Sequence, residues 1–128
     1  MRIFATDDFS VFMEDNLLTN KDICQSAREI IGGLVDANLG GNLFKKRIAF
    51  GRAGKSGSAR SVVAFRYHDK MISIDGWLKK NVAKSGKEIP DNLLKMYKLL
   101  AKDLLNISDK NIEDNLLYGL LIEVICDE

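Results

Sequence analysis

Lys45, Arg47, Arg60, Arg66 and Lys79, with Asp75 and Trp77 among them, are the residues whose types and spacing could do chemistry. Cations at alternating positions place ammonium and guanidinium groups on one face of a strand, where they can hold phosphate oxygens. An indole beside them can stack on an unpaired base. Twelve Lys/Arg lie between Lys45 and Lys87 against only Asp69 and Asp75, while the remaining residues carry seven basic and sixteen acidic groups. The net charge of +1 therefore divides into a block of +10 and a remainder of −9. A polyanion responds to the nearby potential and not to the whole-molecule sum, so nucleic acid is the expected partner.

Inside the block, GRAGKSGS (Gly51 to Ser58) reads as a flexible hairpin loop from which Arg52 and Lys55 can reach a phosphate backbone. Its Gly54-Lys55-Ser56 end looks like that of a nucleotide triphosphate loop. Ala49 stands where that pattern needs its first Gly, however, and the loop leads into a strand instead of a helix. Asp75, a carboxylate amid cations, is expected to be ionised and to neutralise Arg60 or Arg66; as a general base it would need a substrate hydroxyl within reach. His68, the only imidazole, falls at a hairpin turn and is expected to be exposed without a catalytic role. The plainer reading of the stripe is a solvated surface, and that of Trp77 is partial burial under a C-terminal helix.

The elements that must position these groups follow from periodicity. In LFKKRIAF, Phe44, Ile48 and Phe50 fall on one side of a strand and Lys45 and Arg47 on the other. RSVVAFRYH puts Val63, Phe65 and Tyr67 on one face and Arg60 and Arg66 on the opposite one. After a tight connection, MISIDGWLK turns Ile72, Ile74 and Leu78 inward and leaves Ser73, Asp75, Trp77 and Lys79 on the second face. One antiparallel sheet then carries the cations on an open polar surface, opposite an apolar face covered by helices. Arg60 is expected on that open surface.

Two helices are expected before the sheet. Thr6 with Asp7 and Asp8 suits the start of the first, whose Phe9, Phe12 and Met13 share a face. Thr19 with Asp22 suits the start of the second, whose Ile23, Ala27, Ile30, Ile31 and Leu34 form its buried stripe. Gly40-Gly41 marks a chain reversal. Pro90-Asp91 opens a helix with Leu93, Leu94, Tyr97, Leu100, Ala101 and Leu104 as its stripe, and Ser108 caps another carrying Ile112, Leu116 and Leu120. The terminal LLIEVIC suits either a helical extension or a strand. With 128 residues, 46% of them hydrophobic, and one Pro, a single domain over residues 1–128 is expected. No apolar run approaches the ~20 residues of a membrane helix, and the start lacks a signal peptide's pattern, so a cytoplasmic protein without membrane contact is expected. Cys24 and Cys126 lie far apart with no CxxC, and are read as reduced thiols; neither a metal site nor a cofactor is indicated.

The run GLVDANLGGNLFKKRIAFGRAGKSGSARSVVAF, followed by DGWLKKN, resembles the RelE/HigB-type toxins of bacterial type II toxin-antitoxin systems, from about Gly33 to Leu105. The resemblance implies an α+β fold: a compact, twisted antiparallel sheet with two N-terminal helices and C-terminal helices packed on it. It also implies a ribosome-dependent, metal-independent endoribonuclease that cuts mRNA and inhibits translation, with a helix-turn-helix antitoxin, mRNA and ribosomal RNA as partners. In that frame Arg60 stabilises charge on the phosphate. Lys45 and Lys55, in cationic surroundings, serve in proton transfer. Arg47, Arg52, Arg66, Trp77 and Lys79 hold RNA. In DGWLKKN, Asp75 stands where the family often has Tyr, and Lys80-Asn81 replaces a common Asn-Glu pair, which bears on the acid/base assignment. A gyrase-inhibiting toxin of the ParE kind and a non-catalytic nucleic-acid-binding module are the competing functions.

Overall fold

A computed structural model describes residues 1–49, 58–79 and 87–127. In chain order the elements are β1 (Arg2–Thr6), α1 (Asp7–Asp15), α2 (Asn20–Ile31), β2 (Ala37–Gly40), β3 (Leu43–Ala49), β4 (Ser58–Arg66), β5 (Lys70–Leu78), α3 (Asp91–Leu105), α4 (Asp109–Leu117) and β6 (Leu121–Glu123). The strands form one sheet in the order β2-β3-β4-β5-β1-β6, antiparallel except for β1 beside β5. This is the expected α+β class. No helix among the described residues is long and apolar enough to cross a membrane.

Local chemistry sets the ends of the elements. Thr6 Oγ1 accepts from Phe9 N at 3.1 Å to start α1, Asp22 accepts from Thr19 N at 2.9 Å in the first turn of α2, and Ser108 Oγ accepts from Asn111 N at 3.2 Å to start α4. The β2–β3 reversal uses Gly40, Gly41 and Asn42, all at positive φ. At the far edge, Arg2 holds Glu123 with two hydrogen bonds of 2.9 Å, tying the three-residue β6 to β1. The terminal apolar run thus ends as a strand.

Helices cover both faces of the sheet, which corrects the expectation of one open face. Phe9, Met13, Ile23, Ala27 and Ile30 of α1 and α2 pack with Ile48, Ala59, Val63 and Phe65 on one side. Tyr97, Ala101, Leu105 and Ile112 of α3 and α4 pack with Leu43, Val62, Ala64, Ile72 and Ile74 on the other. The α2 stripe is narrower than expected: Ile31 and Leu34, at and beyond the helix end, are exposed.

The alternation in β5 is also broken. Val62 pairs with Asp75 but Val63 pairs with Ser73, so one extra residue bulges from β5. The bulge shifts the parity, and Ile72 and Ile74 share the α3 face with Asp75 and Trp77 while Ser73 goes to the other side. Gly76 then faces α1, where a Cβ would meet the Phe12 ring at 2.7 Å and the Phe9 ring at 3.0 Å; only Gly lets α1 lie this close to β5.

Cys24 and Cys126 are joined in a disulfide, with Cα atoms 5.7 Å apart, against the reading of reduced thiols. The 102 residues between them hid the pairing. It becomes possible because β6, beside β1, carries the C-terminal segment back to α2, where Val124 and Cys126 pack with Cys24.

Candidate functional site

Cross-strand register assembles the site. Arg47 of β3 pairs with Arg60 of β4, and Arg60 pairs with Trp77 of β5, so these three form one row across adjacent strands. Lys45, Val62 and Asp75 form the next row. Neighbouring strands lie ~4.8 Å apart, so a row of three spans about 10 Å, the scale of one or two nucleotides. The sheet thus brings Lys45, Arg47, Arg60 and Trp77 together by the alternation of the pleat and, for Trp77, by the bulge.

Arg60 is not on an open surface. Its side chain is only 8% exposed, with Nε 3.9 Å from Glu88 Oε2 and 4.0 Å from Asp36 Oδ2, and Nη1 donates to Ser58 Oγ at 2.9 Å. Lys45 Nζ donates to the other oxygen of Glu88 at 2.9 Å, so its ammonium is paired with a carboxylate instead of being hemmed in by cations. Glu88, just before α3, is the member of this cluster that sequence reading missed. Burial acts to raise its pKa, and the opposing hydrogen bonds and charges of Lys45, Trp77 and Arg60 outweigh it, holding the carboxyl below the ordinary 4.5. Trp77 is half-buried against the α3 layer, and its indole nitrogen, though near enough to Glu88 to favour the anion, has no partner in hydrogen-bond geometry among the described residues. The only sequence signal for Glu88 was its place one residue beyond the end of the basic block.

The other expected residues lie elsewhere. Asp75 pairs with neither Arg60 nor Arg66: Tyr97 Oη donates to its Oδ2 at 2.6 Å and Gly76 N to its Oδ1 at 2.8 Å. Burial first, and this carboxylate second, raise the Tyr97 pKa. Arg66 sits at the far end of β4, where Nη1 donates to Leu105 O at 2.9 Å and Nη2 to Asn106 Oδ1 at 3.0 Å. It satisfies the C-terminus of α3, six residues along the strand from Arg60 and remote from the cluster. His68 is exposed at the β4–β5 turn. Arg47 and Lys79 are exposed and make no ion pair among the described residues. Arg52 and Lys55 lie outside the described residues, as do Phe50, Lys80 and Asn81.

Much of the +10 block is neutralised by acids from beyond it. Besides Glu88 and Asp36, Glu29 of α2 takes Lys46 at 2.7 Å on the opposite face of the sheet, and Asp91 takes Lys87 at 2.9 Å. No group of three or more His, Cys, Asp or Glu that could hold a metal ion is found among the described residues. What remains is a compact cluster whose chemistry suits an anion: a guanidinium and an ammonium sharing one carboxylate, an indole beside them and the exposed Arg47 next in the row.

The family model for the RelE toxin of the RelE / RelB toxin-antitoxin system matches residues 1–124. The chain belongs to the RelE toxin family. No curated protein matches it significantly. Membership makes the chain a toxin of a toxin-antitoxin system, with an antitoxin as partner. For this RelE-family chain the Lys45–Arg60 site lies on the same sheet that the sequence resemblance singled out, with Trp77 next in the row.

Proposed function

We propose that this RelE-family toxin is an endoribonuclease that cuts mRNA on the translating ribosome, in the cytoplasm, and that a helix-turn-helix antitoxin restrains it. The observation that carries the reading is the convergence of Lys45 and Arg60 on a single carboxylate, Glu88, beside Trp77. Two cations arranged around one carboxylate are equally suited to a phosphate, which has the same charge and oxygen spacing but more acceptors. Cleavage by the RNA 2′-hydroxyl needs that hydroxyl aligned, the added charge on phosphorus stabilised and the leaving oxygen protonated. Arg60 supplies the charge stabilisation and Lys45 the proton for the leaving oxygen. Trp77 offers a ring edge for a base, and Arg47, Lys79, Arg52 and Lys55 hold the flanking backbone. None of these steps calls for a metal.

The test is inducible expression with transcript-end mapping, beside an Arg60→Ala control. Growth arrest with new ends inside translated messages, absent in the control, is the expected result. Intact transcripts with DNA damage would indicate gyrase inhibition, and RNA binding without new ends a non-catalytic module.

A further inference from the structure

We infer that Glu88 is the general base of this site, its carboxylate taking the proton of the RNA 2′-hydroxyl while Arg60 and Lys45 hold the adjacent phosphate. The assignment rests on the ribonuclease reading and supplies the one group that reading lacks, a proton acceptor.

Position is the first argument. A base for this reaction must stand within hydrogen-bond reach of the 2′-oxygen, which is itself one bond from the attacked phosphorus in the transition state. It must therefore share a site with the phosphate-holding guanidinium. Glu88 Oε2 is 3.9 Å from Arg60 Nε and Oε1 is 2.9 Å from Lys45 Nζ. Oε2 has no hydrogen bond to Arg60 at that distance, and a carboxylate has about four acceptor sites, so capacity remains for a hydroxyl. The alternatives are engaged elsewhere. Asp75 is held by Tyr97 and Gly76, and His68 stands at the distant β4–β5 turn. Asp36 reaches Arg60 at 4.0 Å but, among the described residues, its side chain makes no bond to Lys45, so it does not link the acid and the charge-stabilising group as Glu88 does.

Protonation state is the second. Lys45 on β3, Arg60 on β4 and Trp77 on β5 face Glu88 and keep it ionised, with Asp36 behind Arg60 and with the neighbouring Lys87 engaged by Asp91. A carboxylate with its pKa lowered in this way is a weaker base than a free one. An arriving phosphodiester changes that, because its negative charge takes over the two cations and disfavours the carboxylate anion, raising its basicity where it is needed.

The step balances. As the 2′-oxygen bonds to phosphorus, its proton passes to Glu88. As the bond from phosphorus to the 5′-oxygen breaks, that oxygen takes a proton from Lys45. The products are a 2′,3′-cyclic phosphate and a 5′-hydroxyl, with Glu88 neutral and Lys45 an amine. Once the products leave, the Lys45–Glu88 hydrogen bond is the route by which the proton returns and the ion pair is restored.

The test compares wild type, Glu88→Gln and Glu88→Asp in single-turnover cutting of a defined short mRNA on purified ribosomes, with thermal melts to establish folding. Glu88→Gln keeps the shape and an acceptor for Lys45 but cannot take a proton. Cutting is expected to slow by ~10²–10⁴-fold with RNA affinity unchanged or tighter. Glu88→Asp should recover part of the rate. The wild-type rate should fall as the solution is acidified, and that acid limb should vanish in the residual activity of Glu88→Gln, which a purely structural role would not produce. Near-normal cutting by Glu88→Gln would overturn the assignment. Faster cutting would overturn it too, showing a carboxylate that merely competes with substrate, and loss of cutting in Asp36→Asn alone would move the base to Asp36. If wild type binds the message and never cuts it, the ribonuclease reading falls, and the base with it.

Discussion

Replacing Arg60 by Ala has two separable effects. The guanidinium is 92% removed from solvent and stands between Glu88 and Asp36, whose side chains are 23% and 32% exposed. Removing one partner of a fully buried pair costs about 3–5 kcal/mol, while exposed pairs contribute about 0–1 kcal/mol. With both carboxylates partly hydrated and Lys45 still on Glu88, a loss of about 1–2 kcal/mol of stability is expected. That corresponds to about 4–7 °C in Tm for a domain of this size. Cutting should fall further, by ~10²–10³-fold, because the charge developing on the phosphate loses its paired donor. Adding Asp36→Asn to Arg60→Ala removes the carboxylate that loses its counter-ion, so stability should partly return while cutting does not. Arg60→Lys should restore much of the stability and little of the rate, since an ammonium keeps the charge but lacks the planar two-donor fork. Denaturant unfolding and single-turnover cleavage on purified ribosomes separate the two readouts. A folded Arg60→Ala protein that cuts within about threefold of wild type would refute the assignment of Arg60 to the phosphate.

RNA affinity should fall with rising salt, by roughly 0.7–0.9 log units per tenfold increase for each phosphate neutralised, and Arg47→Ala should make that slope shallower. An affinity measured by filter binding that is flat from 50 to 200 mM salt, on the order of the range where counterion release acts, would refute the electrostatic contacts. Glu88, Glu29 and Glu123 all titrate below their ordinary 4.5 in the folded chain. Their stabilisation is present above that value and lost as pH falls beneath it, so the unfolding free energy should drop with acidification below about 4.5. A stability profile flat through that window would contradict these pairings. Cys126→Ser should lower the unfolding free energy by up to ~4–5 kcal/mol, the chain-entropy limit for a loop of about a hundred residues; equal melting of oxidised and reduced protein would show that the cross-link adds nothing.

The central strands were legible because β3 and β4 obey period two, and their faces agree with the alternation of Phe44, Ile48, Val63 and Phe65 against Lys45 and Arg60. The face of Trp77 came out with the right neighbours although the bulge at Ile74 changes how β5 gets there; a strict alternation cannot show an inserted residue. The short edge strands β2 and β6 and the parallel placement of β1 depend on partners distant in sequence, and so does the Cys24–Cys126 bond. The site was legible in its cations and not in its acids. A charge window from Lys45 to Lys87 counts the donors but omits Glu29, Asp36, Glu88 and Asp91, which fold back onto them from both sides. Arg66 and Asp75 looked like site residues because residues on one strand face appear equivalent in sequence. Arg66 lies six positions along the strand from Arg60, and the hydroxyl of Tyr97 claims Asp75.

The most direct measurement uses purified protein and ribosomes carrying two versions of one short message, identical except that the nucleotide on the 5′ side of the cut lacks its 2′-hydroxyl. The all-ribose message should be cut to leave a 2′,3′-cyclic phosphate upstream and a 5′-hydroxyl downstream, and the deoxy version should stay whole while binding equally well. Cutting of the deoxy message, or fragments bearing a 5′-phosphate, would contradict attack by the RNA's own hydroxyl at the Lys45–Arg60 site.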